Sequence, residues 1–324
     1  MSATSRTLRL PGAGARSGNP ASLGEGLLVG LCGMAALIAV AVIFEVIYQV
    51  ISGAHLAIGR FGLSFIVHQT WAPNFDHFGA AVLLYGTLVS STIAMVLAVP
   101  IGVAIGLYLS LLAGPRIRTV VGPLVELVAA IPTVILGLWG ILVLAPFVHS
   151  TLEPALHSAL GFLPIFGPQE TNGSGVFTAG LILTIMVVPI VAALSRDLFL
   201  TVPRELQDGA YALGATRWEV IRGVVLPSTA PGVIASSVLG LGRALGEAIA
   251  VTQVIGDGQQ IHASLFGTAD TFASRLTENF PGDSALYTSA LFYVALLLLV
   301  IGMASNLIAQ FIGRHFDTRR VRRP

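Results

Sequence analysis

The chain has 324 residues, 55% hydrophobic and 10% charged, with a formal net charge of +1. A soluble domain carries about a quarter charged residues, so this composition and a mean hydropathy of +0.85 exclude an ordinary soluble globule. All 17 basic residues are arginine, which also excludes a Walker A phosphate loop, whose lysine is indispensable.

In chain order, the Ser/Gly/Arg-rich residues 1–24 read as a disordered cytoplasmic tail. Six apolar runs long enough to span a bilayer follow: 27–51, 79–112, 119–148, 176–195, 229–255 and 285–312. The first, within a segment 25–78 that includes an outside loop, is too long for a signal-peptide core and is retained. It carries the single Cys32, so no internal disulfide framework exists. It also carries Glu45, which snorkels or packs against a partner. In the loop, Trp71-Ala72-Pro73-Asn74 is turn material, and Phe75 and Phe78 are expected as interfacial anchors.

The second run places Gly102 and Gly106 on one small-residue face, suited to a closely approaching helix. Pro100, Pro123, Pro132 and Pro189 each free a backbone carbonyl inside a span, as a packing kink or beside a water-filled path. Glu126 in the third run precedes Pro132; it either contacts Arg243 from a neighbouring helix or caps a freed donor locally. His149, Glu153 and His157 recur every four residues, but Pro154 is expected to interrupt that helix in an outside loop, so no metal site is expected.

Residues 196–227 form the best-defined polar piece. Pro203 suits a first helical position and Glu205 a first turn. The helix then runs through Leu206, Asp208, Gly209, Ala210 and Leu213 to a stop at Gly214. Thr216 with Glu219 is a capping-box signature for a second helix. Leu226-Pro227 is expected to break the chain before the fifth span. Such a hairpin suits a partner's groove.

Arg243 and Glu247 lie four residues apart in the fifth run, on one helix face, with Gly242 and Gly246 thinning an adjoining face for helix contact. Intramembrane charge is costly, so each is a functional candidate. Either the pair is a self-neutralising bridge, or Arg243 offers its planar fork of donors to an oxyanion while Glu247 holds it between turnovers. The tail 313–324, with Arg319, Arg320, Arg322 and Arg323, reads as an inside anchor for acidic lipid headgroups. With both termini inside, only Arg60 and Arg275 fall outside, as the positive-inside rule expects.

The spacing Asp208-Gly209-Ala210, three residues, Gly214, nine residues, Val224-Val225-Leu226-Pro227 resembles the cytoplasmic coupling loop of ABC importer permeases. Leu124 to Pro132, Gly137 to Gly140, Gly242 to Thr252 and the stretch from Ala263 to Phe280 resemble the permease of the bacterial phosphate-specific ABC importer, PstC type. The resemblance covers about residues 79–312. It implies an all-α, polytopic membrane protein with six transmembrane helices in the type I ABC importer permease fold. It implies a pore subunit rather than an enzyme, in a bacterial inner membrane, with no cofactor of its own. Implied partners are a second permease (PstA type), a dimer of ATPase subunits (PstB type) holding ATP and Mg, and an extracytoplasmic phosphate-binding protein (PstS type). Lipid is expected as a neighbour and nucleic acid is not. Arg243, Glu247 and Glu126 fall to the substrate pathway; Glu205, Asp208, Gly209, Ala210, Gly214, Leu226 and Pro227 fall to the ATPase-coupling loop. Alternatives are the same architecture for sulfate or molybdate, a proton-coupled anion transporter with Glu247 as proton carrier, and a non-conducting phosphate sensor.

Overall fold

The computed structural model describes residues 20–168 and 171–317. Most of the expected N-terminal tail and the arginine cluster 319–323 therefore lie outside the described residues. Among those described, six helical rods are long and apolar enough to cross a membrane. The chain divides into two compact units, 1–49 and 50–324.

The first unit is carried by α1 (Pro20–Gly53), which begins inside the stretch expected to be tail. From Leu27 to Phe44 its large apolar side chains are exposed. Gln49 donates to Glu45 at 2.9 Å, so the carboxylate is partly satisfied one turn along its own helix.

The second unit opens with a segment expected as a loop but containing α2 (His55–Phe61) and α3 (Ser64–Val67). Phe65, Trp71 and Phe78 are buried there with Phe272 and Tyr287. Phe65 stacks on Tyr293 at 4.5 Å, and Phe78 on Tyr287 at 5.3 Å. Phe78 is thus a core residue, worth about 1.5–3 kcal/mol of burial, while Phe75 alone keeps the exposure of an interfacial anchor.

The rod α4 (Ala81–Leu107) runs on through a π-turn to Leu112. A separate helix, α5 (Pro115–Ala129), follows. Then α6 (Thr133–Trp139), α7 (Ala145–Phe147) and α8 (Glu153–Leu160) stack end to end through two π-turns. The third rod long and apolar enough to cross a membrane is therefore Thr133–Leu160, where the sequence suggested 119–148. Pro132 ends the helical run before it, and Pro154 is accommodated in the first turn of α8 without interrupting the rod.

The central rod is α9 (Val176–Leu200), whose Ile182, Val187 and Val191 are fully buried. Gly102 and Gly106 of α4 lie against it: a Cβ on Gly102 would sit 2.8 Å from Val191, and one on Gly106 3.0 Å from the Ala192 carbonyl oxygen. After α9 come α10 (Arg204–Ala212), α11 (Arg217–Val220) and α12 (Leu226–Gly246). The remaining helices are α13 (Ile249–Ile255), α14 (Phe272–Asn279) and α15 (Ala285–Asp317).

Candidate substrate pathway and coupling hairpin

Helix α12 stops at Gly246, and Glu247 takes up an extended backbone with φ −75° and ψ 120°. Arg243 is therefore in the last turn of its helix and Glu247 just beyond it. The expectation of one helix face carrying both charges is corrected: the helical rod Arg217–Gly246 ends between them. Glu247 turns back to accept the Ala250 N–H at 3.4 Å, serving the first turn of α13. Its side chain is only 8% exposed, against 41% for Arg243, and the two charges approach no closer than 3.9 Å. An N···O distance at the edge of ion pairing leaves most of the guanidinium donors unused by this carboxylate.

A second interruption lies at Ala130–Pro132. The helices that resume after the two breaks pack directly on each other, because a Cβ on Gly137 would come within 2.9 Å of the Ala250 Cα. Broken helices are tolerated at membrane depth only where protein or a water-lined cavity surrounds the freed backbone groups, and paired discontinuous helices characterise ion and substrate sites in transporters.

Within this chain Gly242 and Gly246 meet no neighbouring helix. A Cβ on either would meet nothing within 4 Å, whereas one on Gly240 would strike Val187 at 2.8 Å. The close approach within this chain falls at Gly240, and the space beside Gly242 is open. A cavity of about 630 Å³ occupies it, lined by Leu239, Gly242 and Arg243 from α12 and by Gly302, Ser305 and Asn306 from α15. Ser305 and Asn306 escaped the sequence reading. Their signal was there, as two adjacent polar residues deep in the last apolar run.

Glu126 is placed elsewhere. Its carboxylate meets Arg196 of α9 at 3.0 Å, not Arg243, and Arg196 also holds Asp197 at 2.9 Å. Arg118 donates to the carbonyls of Leu109 and Ser110 at 2.8 and 2.5 Å, capping the end of the α4 rod. Together Arg118 and Glu126 clamp α5 between the ends of two spanning rods. His149 and His157 also diverge: the first contacts buried Glu153 at 3.2 Å, the second the Phe166 carbonyl at 2.8 Å.

The hairpin follows its local code closely. Helix α10 ends in a Schellman motif: Gly214 has φ +89°, its N–H donates to the Tyr211 carbonyl at 2.9 Å, and the Ala215 N–H donates to the Ala210 carbonyl at 3.1 Å. The Thr216 N–H donates to Glu219 at 2.7 Å and the Glu219 N–H to the Thr216 hydroxyl at 3.4 Å, which completes the capping box. Pro227 does not break the chain. A π-turn over Ile221–Val225 joins α11 to α12, and the proline occupies the first turn of α12, where its missing N–H costs little. Leu226 packs with buried Phe199 and Val225. Glu205, Asp208 and Gly209 are exposed and Ala210 half-buried. Leu213 at 90% and Trp218 at 63% exposure leave an apolar tip projecting from the hairpin.

The hairpin and the arginine are thus two ends of one rod. Arg217 to Arg243 at 1.5 Å per residue is roughly 39 Å, and the helix continues through the π-turn and through Pro231 before it breaks at Glu247.

A third charged cluster lies beyond α13. Arg275 contacts Asp257 at 2.8 Å and Asp270 at 2.6 Å, the latter close in distance but not aligned as a hydrogen bond, and its guanidinium sits 5.5 Å over Trp71. Asp270 also accepts the Thr271 N–H at 2.7 Å and the Ser274 hydroxyl. Burial pushes the Asp270 carboxyl above its ordinary value, against the pull of Arg275. Burial raises Glu278 too, and the Asp270 charge adds to it.

The family described as "Binding-protein-dependent transport system inner membrane component" matches residues 98–322. The phosphate transport system permease protein PstC of Mesorhizobium japonicum is 39% identical over 293 residues, covering 88% of each chain. PstC of Pasteurella multocida is 41% identical over 259 residues, covering 79% of this chain and 81% of its own. Among solved structures, a bacterial alginate ABC transporter in complex with an alginate-bound periplasmic protein gives a TM-score of 0.60 at 17% identity, over 90% of this chain and 96% of that one. An inward-facing MetNI methionine transporter gives 0.51 at 20% identity, over 74% and 94%. At such identities the solved structures speak to the fold alone. The chain belongs to the binding-protein-dependent transport system inner membrane components, multi-pass permease subunits of ABC transporters, and within them to the PstC-type permeases.

Proposed function

We propose that this chain is the pore-forming permease of an ATP-driven importer of inorganic phosphate. Its partners are a PstA-type second permease, a PstB-type ATPase dimer that binds ATP and Mg, and a PstS-type phosphate-binding protein. Both termini are cytoplasmic in this reading, which puts Arg118, Arg196, Arg204 and Arg217 on the inner side. The observation that carries the reading is Arg243: a half-open guanidinium at the end of a broken helix, facing a cavity, with the Glu247 carboxylate 3.9 Å away. A phosphate oxyanion matches that planar donor fork. Glu247 stays buried against α13, so it steadies the arginine without neutralising it fully.

The exposed tip of Leu213 and Trp218 seats in the ATPase, with Glu205, Asp208, Gly209, Ala210 and Gly214 shaping the helix-turn that presents it. Closure of the ATPase dimer pushes on α11, and the Arg217–Gly246 rod carries the displacement to Arg243. Access to the anion then alternates as the rod rocks. The test is uptake of labelled phosphate by cells lacking this gene, with and without it restored. Excess unlabelled sulfate, and an ionophore that collapses the proton gradient while ATP is maintained, are run in parallel. Restored uptake that ignores both supports the reading. Block by sulfate moves the substrate, and loss with the ionophore moves the mechanism.

A further inference from the structure

Helix α15 is apolar from Ala290 to Ala304 apart from Tyr293, yet Ser305 and Asn306 then fall side by side on the wall facing Arg243. An amide directed at hydrocarbon would be a standing penalty. Among the described residues, Asn306 satisfies one of its groups, its Oδ1 accepting from Gln310 at 3.3 Å, and its N–H donors remain available. Ser305 is half-buried and, among the described residues, its hydroxyl makes no hydrogen bond, even to the preceding turn where helical serines usually bond. The room in front of these groups is not consumed by packing, since a Cβ on Gly242 or on Gly302 would meet nothing within 4 Å. Opposed walls of one cavity therefore present a guanidinium, a hydroxyl and a primary amide, with glycine on each wall keeping the gap clear.

We infer that Ser305 and Asn306 complete, with Arg243, a donor set for the transported tetrahedral oxyanion. The guanidinium supplies charge and two parallel donors from one side. The hydroxyl and amide supply neutral donors from the other, so the anion is bound between two helices and released when they separate. Neutral donors on the second wall keep binding weak enough for passage. The inference rests on the proposed phosphate import and adds α15 to the pathway. A phosphodiester headgroup of an anionic lipid presents the same chemistry, and the test separates the two.

The test is labelled-phosphate uptake by the complete transporter, purified with its partner subunits and reconstituted into liposomes. Assembly is checked by size-exclusion chromatography for every variant. Asn306→Leu removes the amide donors and lowers uptake efficiency about tenfold, the worth of one buried hydrogen bond; Ser305→Ala gives a smaller fall. Asn306→Asp is decisive. A carboxylate still accepts from Gln310, so in a variant complex that assembles normally a merely structural asparagine leaves uptake unchanged, whereas a pathway carboxylate repels the anion and lowers uptake further than leucine does. A variant that fails to assemble leaves the decision to Asn306→Leu and Ser305→Ala. Wild-type uptake by Asn306→Asp overturns the inference. So does a set of variants that differ from wild type only when anionic lipid is present, which assigns the cavity to a lipid headgroup. A wild-type complex that accumulates no phosphate overturns the parent reading and this one together.

Discussion

Arg243 Nη2 and Glu247 Oε2 stand 3.9 Å apart across the point where α12 ends, the arginine half exposed and the carboxylate almost fully buried. This asymmetry supports the proposed role of Arg243 as a pathway cation over a purely structural bridge. In a bridge the two charges would share burial and geometry; here Glu247 spends its other oxygen on the Ala250 N–H, and Arg243 faces open space.

Arg243→Gln is expected to lower phosphate uptake about 100-fold while the complex still assembles, in line with the loss of one partner of a charged contact. Uptake and co-purification of the partner subunits are measured on the same membranes. Loss of the assembled complex would instead identify the pair as a structural bridge.

Gly214→Pro is expected to uncouple or release the ATPase. Proline holds φ near −65°, and Gly214 sits at +89°, so the Schellman turn cannot close. Gly214→Ala carries a strain of about 1–2 kcal/mol and is expected to weaken coupling partially. Substrate-stimulated ATP hydrolysis reads both, and wild-type coupling in Gly214→Pro would contradict the hairpin's role.

Leu213→Ser addresses docking without touching the turn. A side chain 90% exposed contributes little to this chain's own packing, so thermal stability should stay within about 0.5 kcal/mol. Retention of the ATPase during purification should fall, and unchanged retention would remove Leu213 from the interface.

Glu126→Gln distinguishes a brace from a pathway residue. Its ion pair with Arg196 is half exposed on the glutamate side, so its loss should cost under about 1 kcal/mol. Phosphate uptake close to wild type assigns Glu126 to the clamp on α5, whereas a fall matching that of Arg243→Gln would restore it to the pathway.

Asp270 gives a pH signature. Burial raises its folded-state value above 3.8, so the stability it contributes is complete below 3.8 and is lost as pH rises through the folded value. The melting temperature of wild type relative to Asp270→Asn should therefore decline with rising pH above the ordinary carboxylate range. A difference that grows with pH would mean that the pull of Arg275 outweighs burial.

The legible parts of the sequence were those written in local chemistry. The Schellman glycine and the Thr216–Glu219 capping box lie within a few residues of the groups they satisfy, and both stand as read. Span limits were harder. Hydropathy averages across a break, so 119–148 merged amphipathic α5 with α6, and 229–255 merged α12 with α13. Pro227 misled because a proline in a first turn carries no penalty, and the π-turn before it absorbs the adjustment. The partner of Glu126 was not legible, since Arg196 is seventy residues away in sequence and brought near only by packing on α9. Ser305 and Asn306 gained meaning only once α15 was seen facing Arg243.

The most direct measurement is phosphate accumulated per ATP hydrolysed by the reconstituted complex, wild type beside Arg243→Gln, with the phosphate-binding protein supplied outside. The account predicts accumulation against a gradient for wild type and its near-complete loss in the variant with the complex intact. Equal accumulation by the two would contradict it.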